Sequence, residues 1–252
     1  MAINLTDARA VEHFHLLFLA QLGTRLDKKL YALKGGCNLR FFWKSIRYSE
    51  DIDFDVHTIA KHTLEKNVKQ ILDAPGFKQI LRSSKMELTN VSEPKQTDTT
   101  QRWKIHVRHE VSGIDLPTKI EFSRRKFASG VIFGPIDPEL LTVYNLRPII
   151  ISHYDLEPAF TQKIEALLHR KETQARDIFD LALLLERGAK SSTIKMNKDQ
   201  IAEAHEIVMR VSFDQFRGQV VAYLLPEYQD YYRSRSVWDS LQKNVARILE
   251  NL

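Results

Sequence analysis

The sequence predicts an α+β protein, a mixed sheet with flanking helices followed by a helical C-terminal domain, and three features predict it. Runs in which apolar and polar residues alternate, the period of a half-buried strand, fall before about residue 155. From Asp155 onward apolar residues instead recur at three- and four-residue spacing. Around residues 31–56 the order strand, glycine pair, helix, strand can be read directly. Domains of residues 1–154, with an N-terminal helix, and 155–252 follow, and a cleft between them is the natural place for a ligand.

Taken in order, residues 8–30 carry Val11, Phe14, Leu17, Phe18, Leu22 and Leu26 at helical spacing. Residues 31–34 form a β-like run that ends in Gly35-Gly36, 38–43 a short helix, and 51–56 a strand. A helix at 64–74 is broken by Pro75-Gly76, and a strand at 86–91 precedes a polar loop at 92–100. Strands follow at 102–111 and 118–124, then irregular pieces at 135–148 and an apolar run at 149–152 suited to an edge strand. Helices are expected at 158–170, 175–187, 199–208, 213–224 and 236–249.

The 252 residues are 43% hydrophobic and 27% charged, which excludes a disordered or fibrous chain. The longest apolar stretch, residues 14–22, is too short to span a bilayer, and no basic region leads an apolar core at the N-terminus, so a cytoplasmic protein with no membrane partner is expected. The single cysteine, Cys37, can form neither an internal disulfide nor a thiolate metal site on its own. A net charge of +5 is compatible with an anionic partner such as RNA, DNA or a nucleotide.

The chemistry concentrates in two stretches. In a strand, residues two apart project to the same side, so Asp51 and Asp53 aim two carboxylates one way while Ile52 and Phe54 turn to the core. Mg²⁺ takes a few carboxylates plus phosphate oxygens and water, and such a pair suits it. The plainer alternative is the solvent face of an amphipathic strand, although aspartate is disfavoured in strands and Asp55 makes a third; Asp55, further along, reads as a flanking charge. A calcium loop fails at Val56, where that motif needs glycine. Gly35-Gly36 lets the backbone approach a phosphate at a helix start, or is simply a tight turn.

The segment L-K-G-G-C-N-L-R-F-F at 33–42, followed by R-Y-S-E-D-I-D-F-D at 47–55, resembles the opening motifs of AbiEii-type nucleotidyltransferase toxins, within the polymerase-β-like nucleotidyltransferase superfamily. The resemblance implies that Gly35 and Gly36 begin a helix beneath a nucleoside triphosphate and that Asp51 and Asp53 hold the metal. Ser49 then orders the turn or touches phosphate. The superfamily draws a third carboxylate from a neighbouring strand, for metal or for the proton of the attacking hydroxyl. Glu121 in K-I-E-F-S is the candidate, an exposed residue paired with Lys119 its alternative, and Asp115 the substitute. Arg124, Arg125 and Lys126 could meet phosphate or form a solvated turn.

Residues 163–181, K-I-E-A-L-L-H-R-K-E-T-Q-A-R-D-I-F-D-L, are similar to the family's second motif. Lys163 then offers a point charge to the triphosphate, with Asp177 and Asp180 sharing a helix face to orient Lys163, Arg170 or Arg176. The resemblance implies a Mg²⁺-dependent enzyme that moves a nucleotide to an acceptor hydroxyl, a transfer RNA end, as a type IV toxin with a separately encoded antitoxin. A protein or small-molecule acceptor, a nuclease using the same carboxylates, and a regulator that binds nucleotide or RNA without catalysis are the alternatives.

Overall fold

The computed structural model describes residues 5–125, 127, 129–170, 172–190 and 196–250; Lys126 lies outside them. The chain divides into two compact units, one running to Lys44 and resuming over Tyr48–Tyr154, the other formed by Ser45–Arg47 with the chain from Asp155 on.

The first unit is built on α1 (Leu5–Arg25), β1 (Tyr31–Lys34), α2 (Gly35–Phe42), β2 (Ile52–Val56), α3 (Lys61–Asp73), α4 (Pro75–Ser83), β3 (Met86–Gln96), β4 (Thr100–His109), β5 (Asp115–Arg124), β6 (Val131–Pro135), α5 (Pro138–Val143) and β7 (Ile150–Tyr154). Its strands form one mixed sheet in the order β3-β4-β5-β2-β1-β7-β6. The β2–β5 and β1–β7 pairs are parallel and the others antiparallel.

Alternation along the strands decides what each sheet face does. Ile52 and Phe54 of β2, Trp103, Ile105 and Val107 of β4, and Ile120 and Phe122 of β5 are all buried in one core, to which α1 adds Phe14, Phe18 and Leu22 and α3 adds Leu64 and Val68. Phe122 stacks on Phe54 at a centroid distance of 4.7 Å and meets Trp103 edge-on at 5.9 Å. The intervening residues Asp53, Arg102, Lys104, Lys119 and Glu121 therefore lie on the opposite face.

Several elements differ from expectation, for local reasons. The first helix stops at Arg25 rather than running to residue 30, because Asp27 turns the chain: its carboxylate accepts from the Lys29 amide and its carbonyl from the Leu30 amide. Pro75, which reads as a break, instead begins α4, and α5 likewise begins at Pro138; each proline sits in the first turn, where a missing N–H costs nothing. The polar stretch 92–100 is largely strand: β3 stays paired to β4 as far as Gln96, with an irregularity between Ser92 and Lys95 that accommodates Pro94. An edge strand keeps its ladder without burying side chains, so hydrophobic patterning does not reveal it. Conversely, β7 is interior, between β1 and β6, and β6 is the edge.

The second unit is helical: α6 (Leu156–His169), α7 (Ala175–Glu186), α8 (Lys198–Arg210), α9 (Phe213–Gln219), a 3₁₀ turn at Val221–Tyr223, α10 (Pro226–Tyr232) and α11 (Arg235–Leu249). Its core includes Phe160, Ile178, Leu181, Leu184, Phe216, Trp238 and Val245, with Phe216 stacked on Trp238 at 4.4 Å. Capping boxes at Asn197 and Ser212 start α8 and α9. The Gln242 amide donates to the carbonyls of Val208 and Val211, satisfying the end of α8. Among the described residues no helix is long and apolar enough to cross a membrane.

Phe122→Ala, which removes a ring buried between Phe54 and Trp103, is expected to cost about 3–5 kcal/mol, read as a lowered urea midpoint with little change in slope.

Candidate active site

The acidic strand enters the sheet between β1 and β5, and pairing fixes its neighbours. Asp53 lies directly across from Lys34 on β1 and from Glu121 on β5. Residues so paired project to the same side, so the Asp53 and Glu121 carboxylates share a face, with Asp51 one residue outside the ladder.

At the other border, Gly35 opens α2 with φ of +68°, a left-handed conformation that disfavours a side chain. A Cβ there would stand 3.1 Å from Asp53 Oδ2. Glycine is thus required both by the turn and by the carboxylate packed against it. The helix starts without a side-chain cap from Lys34, so its first N–H groups are of the kind that bind anions.

The carboxylates are balanced by cations on the same face. Lys119 Nζ lies 3.0 Å from Asp51 Oδ2 and 3.9 Å from Glu121 Oε2, and Arg102 Nε donates to Glu121 Oε2 at 2.6 Å. Burial holds the Asp53 carboxyl above its ordinary pKa, with Asp51 and Glu121 adding to the shift against the opposing charges of Lys119 and Lys34. Burial alone would lower Lys119, yet the charges of Asp53 and Asp51 outweigh it and raise its ammonium. The face therefore already gathers positive charge against its carboxylates.

Asp55 is not the flanking charge that alternation suggests. It is only 1% exposed. Lys34 Nζ donates to its Oδ1 at 2.6 Å, Arg125 Nε lies 3.0 Å from the same atom, and the Tyr154 hydroxyl donates to Oδ2 at 2.6 Å. Lys34 also donates to Ser123 Oγ at 2.9 Å, so Asp55 is tied into β1, β5, β7 and the turn after β5. Arg124 donates through both terminal nitrogens to the Ile59 carbonyl, a structural task. Ser49 Oγ donates to the Asp51 carbonyl at 2.8 Å and so orders the turn. Asp115 sits at the start of β5 in an exposed pair with Arg108, six positions before Glu121, or about 20 Å along a strand.

Among the described residues no three carboxylate, imidazole or thiol groups converge closely enough to hold a metal by themselves. The donor set nevertheless fits a Mg²⁺ ion that takes its remaining oxygens from phosphate and water. Asp51 and Asp53 project to one side, and the Lys119 ammonium stands against Asp51 where positive charge is wanted. That pair is half-buried, each side chain more than a quarter exposed, and worth about 1 kcal/mol or less, so a dication can replace it.

A second charged cluster lies within the helical unit. Lys163 Nζ on α6 is 3.1 Å from Asp177 Oδ1 and 2.7 Å from Asp180 Oδ2, both carboxylates on α7 being fully buried. Arg47 reaches Asp180 in a fork, Nη2 to Oδ2 at 3.0 Å and to Oδ1 at 3.2 Å, and Arg170 Nη1 lies 3.0 Å from Asp177 Oδ2. Burial alone would raise Asp180, but Arg47 and Lys163 outweigh it and hold its carboxyl below the usual range. Sequence reasoning paired the two aspartates with Lys163 and missed Arg47, whose only signal is its place at the head of the acidic motif.

A mixed sheet with a glycine turn leading into a helix, followed by an acidic strand flanked by a carboxylate-bearing neighbour, is the arrangement of a polymerase-β-like nucleotidyltransferase. The model of the AbiEii nucleotidyl transferase toxin family, a type IV toxin–antitoxin system, matches residues 17–232, and the chain belongs to that family. It is a nucleotidyltransferase. The fold is similar to two crystal structures from Helicobacter pylori, each 18% identical: JHP933, TM-score 0.56, covering 99% of this chain and 95% of that one, and a protein whose nucleotidyltransferase assignment is provisional, TM-score 0.60, covering 99% and 96%. No curated protein matches the sequence.

Two predictions follow from the charges. A carboxyl whose folded pKa exceeds its unfolded value, about 3.9 for aspartate, costs stability as pH rises through that window. Asp53→Asn should therefore be more stable than the natural protein at pH 7, with the advantage gone in acid, as thermal melts across pH will show. Arg47→Ala leaves Asp180 buried without its fork and should cost about 3–5 kcal/mol, read by denaturant unfolding.

Proposed function

We propose that the protein transfers a nucleotide from a nucleoside triphosphate to the hydroxyl of a transfer RNA end, with Mg²⁺, and inhibits growth as the toxin of a pair whose antitoxin is separately encoded. The observation that carries the catalytic part is the alignment of Asp53 with Glu121 across β2 and β5, beside the glycine-opened start of α2. The RNA acceptor and the antitoxin rest on family membership, and the excess of basic over acidic residues, 37 against 32, agrees with a polyanionic acceptor.

In this reading Asp51 and Asp53 hold the Mg²⁺, which supplies positive charge to the phosphates and to the attacking oxygen. The amides of Gly35 and Gly36 at the start of α2 seat the triphosphate, and Ser49 keeps the turn before β2 in shape. Glu121 accepts the proton of the acceptor hydroxyl. Arg102 and Lys119 both approach its Oε2, which steers Oε1 towards that task. The acceptor oxygen bonds to the α-phosphorus, the bond from that phosphorus to the bridging oxygen breaks, and pyrophosphate leaves.

Lys163 is assigned the charge that develops on the leaving pyrophosphate, and Asp177 the task of holding Lys163 in place. What supports this is family membership, whose matched residues include the 163–181 motif, and the hold of Asp177 and Asp180 on Lys163 Nζ at 3.1 and 2.7 Å.

The test incubates the protein with Mg²⁺, each labelled nucleoside triphosphate in turn and total transfer RNA. Label should appear on RNA with the natural protein and fall by about 10²–10³-fold in a folded Asp51→Ala variant, the scale of removing an electrostatic catalytic group. Undiminished transfer by that variant would remove Asp51 from the mechanism. Label on no RNA, despite nucleotide binding, would point to another acceptor.

A further inference from the structure

Asp51 stands one residue before the β2–β5 ladder begins at Ile52, so strand pairing does not hold its backbone. Side chains do so instead. Ser49 Oγ donates to the Asp51 carbonyl at 2.8 Å, Cys37 Sγ lies 3.3 Å from the same oxygen, and Thr118 Oγ1 donates to the Glu50 carbonyl at 2.8 Å. These groups come from the turn itself, from α2 and from β5.

Behind them lies His15 on α1, 1% exposed, with its ring centroid 6.0 Å from that of Phe14. Its Nε2 is 2.7 Å from Thr118 Oγ1 and its Nδ1 is 3.6 Å from Cys37 Sγ. The direction of the chain can be worked out. A carbonyl only accepts, so the single Thr118 hydroxyl hydrogen is committed to Glu50 O, and the oxygen must accept from the ring. His15 therefore carries its proton on Nε2. Burial pushes its pKa down to about 3, so the ring is neutral and Nδ1 is bare towards Cys37, whose Sγ is set against the Asp51 carbonyl. Burying an imidazole costs solvation that an apolar side chain would not lose, and the hydrogen bond to Thr118 offsets that cost.

We propose that His15 is a positioning residue for the acidic turn: by orienting Thr118 and contacting Cys37 it fixes the Glu50–Asp51 backbone, and so aims the Asp51 carboxylate before any cation arrives. The inference rests on Asp51 as a metal ligand. His15 itself touches no reacting atom; it acts as an outer-shell partner does, through the groups that hold a ligand.

The experiment measures Mn²⁺ binding by water-proton relaxation, which needs no turnover, for the natural protein and the variants His15→Leu, His15→Gln and Thr118→Val. With outer-shell losses costing 10-fold or more in metal affinity, His15→Leu and Thr118→Val should bind Mn²⁺ about 10-fold more weakly, and His15→Gln, whose amide nitrogen can stand in for Nε2, about as the natural protein does. Thr118→Val keeps the shape of the side chain and serves if His15→Leu does not fold. Folded variants that bind Mn²⁺ like the natural protein overturn the inference, as does a natural protein that binds none. Nucleotide transfer is assayed in parallel: its absence from the natural protein, with Mn²⁺ binding still weakened in the variants, supports the positioning role while overturning the proposed reaction.

Discussion

The rest of the structure depends on the parallel pairing of β2 with β5. That pairing sets Asp53 level with Glu121 on one face of the sheet and leaves Asp51 at the end of the same row. Burial strips solvation from the Asp53 carboxylate, and its acidic neighbours add repulsion, which together hold its carboxyl above the ordinary range. The surroundings offset that cost without removing the charge. Lys119 and Arg102 stand against the acidic row from the same face, and Asp55, further along that row, is neutralised by Lys34 and Arg125. Gly35 gives up a side chain so that the start of α2 can close on Asp53.

The two ionic clusters differ in the freedom left to them. At the acidic strand, Lys119 and Asp51 are each more than a quarter exposed, and a pair of that kind is weak enough to exchange partners. In the helical unit, Asp177 and Asp180 are fully buried and Arg47 is 4% exposed, so separating these charges would strand a carboxylate in a medium that solvates it poorly. Under the proposed function, a site that accepts and releases a cation and a charged substrate needs the first kind of pairing, and a lysine that keeps its place through every turnover needs the second. Both kinds are assembled from the same residue types, and burial decides which results.

The acidic turn combines the two arrangements. Its carboxylate is open to exchange, while its backbone is held from behind by uncharged hydrogen bonds from Ser49 and from Thr118, whose hydroxyl the buried His15 contacts in turn. Neutral donors suit that position, since a charged one would compete with the cation for the carboxylate.

How much of this is legible in the sequence follows from the range over which each feature is determined. Alternation in I-D-F-D, the glycine pair before α2 and the helical spacing after Asp155 are local, and so are the carboxylates they place on one side of a strand. The motif at 163–181 likewise brings Lys163 to Asp177 and Asp180, because adjacent helices with a short connection meet face to face. The edge strand beyond Ser92 and the helices that start at proline escape a reading based on apolar pattern and breaker residues, because ladder hydrogen bonds and first-turn geometry decide them. Sequence by itself determined that Asp51, Asp53 and Lys163 stand in stretches of defined local geometry, since side-chain type and local periodicity suffice for that. Only the tertiary structure decided that Asp55 is an anchor, that Arg47 closes on Asp180 and that His15 supports the acidic turn, because each role depends on partners 99, 133 and 103 positions away along the chain.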